Sequence, residues 1–430
     1  MQPDRQDGVP AGLTRRGFAA SLVDQALLSG VSFLTSAVFI WAGDRAEFGV
    51  FSLVWSAVQL TLGFQNAVII TPLMTSTPRL RGFERDAFVS ELSWLDLKIA
   101  GSLALAALLV TWLLCASTGR QDLLLSVGAG TAVIGLWARE LRRGRQFADL
   151  HAGRVLVGDV VFAGLALAAI GGLVAYRGTI LASWGLLAWG VSGICTGYPA
   201  YRRSHPRRPD GGSEVLGLMS IVWKQGRWTL PSVSLSWLQG YAYGIIAALT
   251  SGAKMVGDLN AARLVAAPAS LVQAAWNRVL LPTAGRQIAA GRRAKAVRAG
   301  LAGVALVITG CLLYGAGLWV FHTVMHPKVL EDKIRGLGIM VVLWLLWQLV
   351  VGVRGVGTAL LMAEMSFETL FKYGLLATGT SLALMVVAGS LAGAYGILAS
   401  MILGELFLCV LIWTRILLGE RRPAASRQTV

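Results

Sequence analysis

The residues in this chain able to do chemistry are charged and amide side chains set inside runs too apolar to hold them cheaply. Asn260, Arg263, Ser270 and Asn277 recur at helical spacing, so one helix would carry them along one face. Ser52, Ser56, Gln59 and Asn66 form a similar stripe near the N-terminus. Gln348 and Glu405 fall near the middle of later apolar runs, Asp24 within the first, and Asp159, Arg278 and Arg354 nearer run ends. An ionised side chain in hydrocarbon costs at least about 2.5 kcal/mol, so such residues face a bundle interior or a wet cavity. The chemistry they offer is binding. A guanidinium presents a planar fork to phosphate oxygens, and hydroxyl and amide groups suit sugars. Isolated carboxylates suit a proton or sodium ion, which makes Asp24, Glu405 and Asp159 coupling-ion candidates. Arg263, Asn260, Ser270, Asn277, Arg278, Gln59, Asn66, Arg354 and Gln348 are the substrate-binding candidates.

Catalysis is not indicated. There is no Gly-x-x-x-x-Gly-Lys phosphate loop, and His322 and His326 lack the glutamate of a zinc-protease helix and sit beside Pro327 at a predicted helix end. The chain is read as a non-enzyme with no catalytic residue, no metal site and no cofactor. Cys115, Cys195, Cys311 and Cys409 show no disulfide or metal spacing and read as small buried hydrophobes.

The elements that must position these groups are membrane helices. The chain has 430 residues, 55% hydrophobic and 14% charged, with mean hydropathy +0.65; a soluble protein would carry roughly a quarter charged residues. Twelve apolar runs can be marked, most of them long enough to span about 30 Å of hydrocarbon. The fold class is therefore an all-α polytopic membrane protein. The net charge of +16 follows topology and does not imply nucleic acid. Clusters such as Arg79, Arg81 and Arg85, and Arg139 to Arg145, alternate with sparsely charged loops holding Arg45, Arg120 or Arg177. That asymmetry predicts a multi-pass protein with both termini cytoplasmic. Tryptophans near span ends fit interfacial belts. The first run, with its Arg15-Arg16 flank, reads as an uncleaved first helix.

The chain also echoes itself. Gly49 and Gly257, Pro72 and Pro282, and Ile180-Leu181-Ala182-Ser183 and Ile397-Leu398-Ala399-Ser400 recur in order at similar separations. Two homologous six-helix lobes are expected, at 1–200 and 228–430, joined by a cytoplasmic loop at 201–227 rich in Arg and Pro. Pro268 is expected to kink its helix.

Short motifs point to one group of transporters. The run Asp24-Gln25-Ala26-Leu27 and then Ala42-Gly43-Asp44-Arg45-Ala46-Glu47-Phe48-Gly49-Val50-Phe51 resembles the opening of Wzx-type polysaccharide flippases of the multidrug/oligosaccharidyl-lipid/polysaccharide (MOP) superfamily. Arg139-Glu140-Leu141-Arg142-Arg143, Gly226-Arg227-Trp228 and Gly393-Ala394-Tyr395-Gly396 are also similar. The resemblance implies two lobes in a V around a central cavity. It implies alternating-access movement of a polyprenyl-diphosphate-linked oligosaccharide across the bacterial inner membrane, for exopolysaccharide or surface-glycan export. The implied partners are the lipid-linked oligosaccharide and membrane lipids, with glycan polymerase or export proteins as candidates. Arg263 would then line the cavity and meet the diphosphate, with Asp24 as an alternative partner. Two rival readings are a cation-coupled multidrug exporter of the same fold and a non-transporting scaffold for glycan-assembly enzymes.

The charge asymmetry gives a direct test. A cysteine placed at Arg203 (Arg203→Cys) should escape an impermeant maleimide in sealed cells and react once they are permeabilised. Labelling in sealed cells would refute cytoplasmic placement of the 201–227 loop.

Overall fold

In the computed structural model, residues 11–77, 82–117, 119, 122–149, 151–202, 212–270, 290–325, 337–364 and 366–418 are described, together with positions 273, 276, 280, 284, 287 and 288. Among them the chain is helical throughout, with no strand. The elements are α1 (Ala11–Ala42), α2 (Arg45–Gln65), a π-helical turn (Asn66–Ile70), α3 (Thr71–Ser76), α4 (Gly82–Ser117), α5 (Leu123–Ala148), α6 (Ala152–Arg177) and α7 (Ala182–Arg202). They continue with α8 (Gly212–Ser251), α9 (Ala253–Ala266), a 3-10 turn (Ala267–Ala269), α10 (Arg293–Met325), α11 (Leu337–Ala363) and α12 (Phe367–Leu418). The chain divides into two compact units, Met1–Ser234 and Leu235–Val430.

The helices begin and end where local chemistry dictates. Asp44 caps α2 by accepting from the Arg45 N–H at 2.8 Å, and Asp122 caps α5 through the Leu125 N–H at 2.9 Å. Gly178 closes α6 in the left-handed region, at φ 71. The next helix is capped from a distance, because Glu47 of α2 accepts from the Ala182 N–H at 2.8 Å. Gly393, at φ 56 and ψ −133, breaks α12 into two arms. The arms fold back on each other: the Ser381 hydroxyl reaches the Ser400 carbonyl at 3.5 Å, and a Cβ on Gly396 would meet the Ala388 carbonyl oxygen at 2.0 Å.

Among the described residues, seven helices are long and apolar enough to cross a membrane, and the broken 51-residue stretch Glu368–Leu418 counts as one of them. This is a multi-pass membrane protein. Two expectations need correction. Residues 212–227 were read as loop but form the first turns of α8, because Val215, Leu216, Leu218, Ile221 and Val222 supply apolar residues to carry a helix through Lys224 and Arg227. Besides the tryptophans near span ends, others belong to the core: Trp137 and Trp344 are among the largest fully buried side chains, and Trp189 and Trp347 are also buried. Cys195 is exposed, whereas the other three cysteines are buried. His326 and residues 203–211 lie outside the described residues.

The tightest packing joins α5 to α7 within the first unit. A Cβ on Gly135 would lie 1.9 Å from the Gly190 carbonyl oxygen, and one on Gly193 would lie 2.5 Å from the Gly135 carbonyl carbon. The two backbones touch, and small residues let transmembrane helices gain close van der Waals contact where no hydrophobic force favours them. A side chain at Gly193 must push the helices apart. Gly193→Leu should therefore lower stability by about 1–3 kcal/mol, read as a lower detergent-melting temperature. Gly171→Ala, at a site where a Cβ meets nothing within 4 Å, should leave melting unchanged.

Candidate functional site

In the first unit, three predicted charges converge on one knot. Arg143 of α5 pairs with Asp24 of α1 at 2.7 Å, with Asp159 of α6 at 2.7 Å and with Glu140 at 2.8 Å. Asp159 also accepts from Arg139 Nε and Arg142 Nη2, each at 3.1 Å. The guanidinium of Arg139 lies 4.1 Å from the Phe162 ring centroid. Three cations meet Asp24, Glu140 and Asp159, three anions, so the knot is neutral. Asp24 and Asp159 are 2% and 0% exposed. The two coupling-ion candidates of this unit therefore lie against guanidinium groups.

Arg139, Arg142 and Arg143, expected as a positive flank, instead turn their side chains inward. A second buried node went unnoticed: Gln65 donates to Asp96 Oδ1 and to the Trp137 carbonyl, both at 2.8 Å, and Asp96 is fully buried. Asp96 interrupts an otherwise apolar run, and that was the available cue. Along α2, Ser56 is buried, Gln59 half-buried and Asn66 exposed. Asn66 opens the π turn, and its Oδ1 accepts from the Thr71 hydroxyl at 3.4 Å. Single π turns mark functional positions more often than chance.

In the second unit, Arg263 of α9 is held without an acid. Its Nη1 donates to the Tyr243 hydroxyl at 3.1 Å and to the Gly240 carbonyl at 3.3 Å. Its Cζ lies 5.0, 5.6 and 5.5 Å from the ring centroids of Tyr241, Tyr243 and Trp344. Tyr243 in turn donates to Asn260 Oδ1 at 2.8 Å, and the Trp344 indole N–H donates to the Leu259 carbonyl at 3.0 Å. Among the described residues no carboxylate pairs with Arg263. Three π faces and two neutral oxygens orient the cation and leave its charge uncancelled. Asn260 and Arg263, predicted to share a face, are joined here through Tyr243. Ser270 lies past the bend, where its hydroxyl donates to the Ala267 carbonyl at 2.8 Å. The bend at Pro268 is a 3-10 turn, and the Val265 carbonyl beside it accepts from the Tyr314 hydroxyl at 2.6 Å. Asn277 and Arg278 lie outside the described residues.

Glu405 of α12 pairs with Arg354 of α11 at 2.6 Å. Beside it lies a cavity of about 10 Å³ bounded by Gln239, Thr378, Ser381 and Glu405, about the room one water needs. Gln239 donates to the Thr378 hydroxyl at 2.8 Å. Gln348 is buried on α11, one turn beyond Trp344 and so on the same side of the helix.

No family model matches the chain, and no curated protein matches it in sequence. Solved structures do resemble it. Lipid II flippase MurJ in an inward closed conformation superposes with a TM-score of 0.74 at 10% identity, covering 93% of this chain and 87% of that one. An inward-facing multidrug resistance MATE family transporter of the MOP superfamily gives 0.66 at 12% identity, covering 90% and 94%. The fold is that of MOP transporters. A MOP superfamily transporter from Pyrococcus furiosus, described by the reversed polarity of its binding pocket, gives 0.55 at 13% identity over 94% of both chains. The MOP fold thus accommodates this chain nearly from end to end.

The ionic knot makes a stability prediction. Arg143→Gln leaves Asp24 and Asp159 short of a counter-charge, and breaking a buried pair costs about 3–5 kcal/mol. Thermal unfolding in detergent should show that loss. Adding Asp24→Asn to the same chain should recover part of it, since one stranded charge is then removed.

Proposed function

We propose that this protein is a transporter that flips a polyprenyl-diphosphate-linked oligosaccharide across the bacterial inner membrane by alternating access, serving export of a surface glycan. The observation that carries the reading is Arg263, a half-buried guanidinium held by Tyr241, Tyr243 and Trp344 with no acid paired to it among the described residues. A cation that the protein itself has neutralised has little left for a ligand. One held by π faces and neutral oxygens keeps its charge for an anion, and its planar fork suits two phosphate oxygens at once. Asn260, one turn before Arg263 on α9, supplies an amide group for sugars. The likeness to a lipid II flippase in fold supports a lipid-linked substrate, and Glu405, with Arg354 and its water-sized cavity, is the better placed coupling candidate. The two homologous lobes, the inner-membrane location and any polymerase or export partner belong to the same proposal.

A second reading has its own support. The aromatic walls around Arg263 and the buried carboxylates Asp24 and Glu405 are groups a cationic-drug exporter would use, and MATE family multidrug transporters share the fold. In this chain the aromatic box already encloses a cation, which favours the anionic substrate.

Transport by the purified protein in vesicles separates the two. Flipping of a fluorescent polyprenyl-diphosphate oligosaccharide should fall at least about thirtyfold in Arg263→Ala, the effect of losing a charged contact of about 2 kcal/mol or more. Arg263→Lys should retain part of the rate, because charge survives without the fork. Ethidium efflux that exceeds background and survives Arg263→Ala, with no flipping of the lipid, would establish the drug exporter instead.

A further inference from the structure

The antiparallel pair α6 and α7 encloses a groove that none of the polar residues above uses. Its volume is about 580 Å³, within the roughly 300–1,000 Å³ of sites that hold a small molecule. The residues along it recur every three or four positions on both helices, from Leu165 to Tyr176 on α6 and from Trp184 to Cys195 on α7. Small residues make the floor: Ala169, Gly172 and Ala188. Leu165, Leu173, Leu187 and Val191 make the walls. The surface is almost wholly apolar and concave, where an ordinary helix pair presents a ridge.

Two dimensions identify the occupant. From Leu165 to Tyr176 the α6 wall runs roughly 16 Å at ~1.5 Å per residue. That is about half the 30 Å hydrocarbon core, the depth of one leaflet. At one end stand Tyr176, 86% exposed, and Trp184, both residue types that prefer the water interface. Arg177 sits there too, exposed, with its Cζ 5.2 Å from the Trp184 ring centroid and no carboxylate partner among the described residues. The Gly178 turn fixes this cation at the groove's mouth. A single-leaflet apolar slot with an uncancelled cation and an indole at its headgroup end matches a phospholipid whose headgroup is anionic.

We infer that the α6–α7 groove is a binding site for an anionic glycerophospholipid, with one acyl chain on the Ala169–Gly172–Ala188 floor and the phosphate at Arg177. The inference is independent of what Arg263 binds. Its ligand belongs to the bilayer and is not cargo.

The test is native mass spectrometry of the full-length, delipidated protein in detergent, titrated with palmitoyl-oleoyl phosphatidylglycerol and, separately, phosphatidylcholine. One phosphatidylglycerol should bind about fivefold more tightly than phosphatidylcholine, the effect of one arginine near an anionic headgroup. Arg177→Gln should erase that preference and leave the weaker, chain-driven binding. Gly172→Trp should abolish the tight site by filling the floor; a Cβ at Gly172 meets nothing within 4 Å, so the helix itself accepts the change. Ala169→Leu, a smaller intrusion, should weaken the site in the same direction. Equal affinity for both lipids, or a tight site that survives both floor variants, would overturn the inference. So would a polyprenyl phosphate that displaces phosphatidylglycerol at equal concentration, since the occupant would then be the carrier lipid.

Discussion

A charge inside an apolar helical bundle has no water to turn to, so the protein must carry its partner. Much of the first unit is arranged around that requirement. Arg143 reaches Asp24, Glu140 and Asp159 together, which ties α1 and α6 to α5 through one guanidinium. Coulomb attraction between close charges is strong at low dielectric, and desolvation offsets much of it. What the knot secures is therefore less raw stability than a shared anchor for α1, α5 and α6. The second unit answers the same requirement in two other ways. Arg354 and Glu405 form a simple pair, and Arg263 is accommodated by aromatic faces, a phenol and a backbone carbonyl.

How much of this could be read beforehand divides along physical lines. Features written in a few consecutive residues were legible. The apolar runs gave the helices, and Pro268 gave a bend. Polar residues in costly places were legible as well, because their cost does not depend on the neighbour. Partner choice was not. Asp24 and Arg143 lie far apart in sequence, and nothing in either segment names the other. Arg139, Arg142 and Arg143 have the composition of a cytoplasmic flank, so their inward turn is visible only with α1 and α6 in place. The aromatic box failed for a related reason. Tryptophan and tyrosine suit both an interface and a buried site with one polar contact, and only the positions of Leu259, Asn260 and Arg263 decide between them.

The irregular backbone also follows a pattern. Each polar stripe runs into a departure from α-helical geometry: Asn66 begins the π turn, and Ser270 follows the 3-10 turn at Pro268. Such turns change the phase of a helix, so side chains before and after them face different directions. A stripe drawn at constant helical pitch through Gln59 and Asn66, or through Arg263 and Ser270, is therefore an approximation that holds up to the turn. The polar residues beyond it answer to another neighbour.

The contact between α5 and α7 carries a mechanical consequence. Where Gly135 meets Gly190 and Gly193 backbone to backbone, no side chains lie between the helices to change rotamer and absorb a small slide. Displacement along such a seam would set carbonyl against carbonyl, so the two helices behave as one plank. Bending in this unit must then be concentrated in segments whose hydrogen-bond ladder is already interrupted, and the stretch from Asn66 to Ile70 is one. A stiff plank beside a pre-broken rod is the arrangement an engineer would choose for a lever: one part keeps its shape so that the other can give way at a known place.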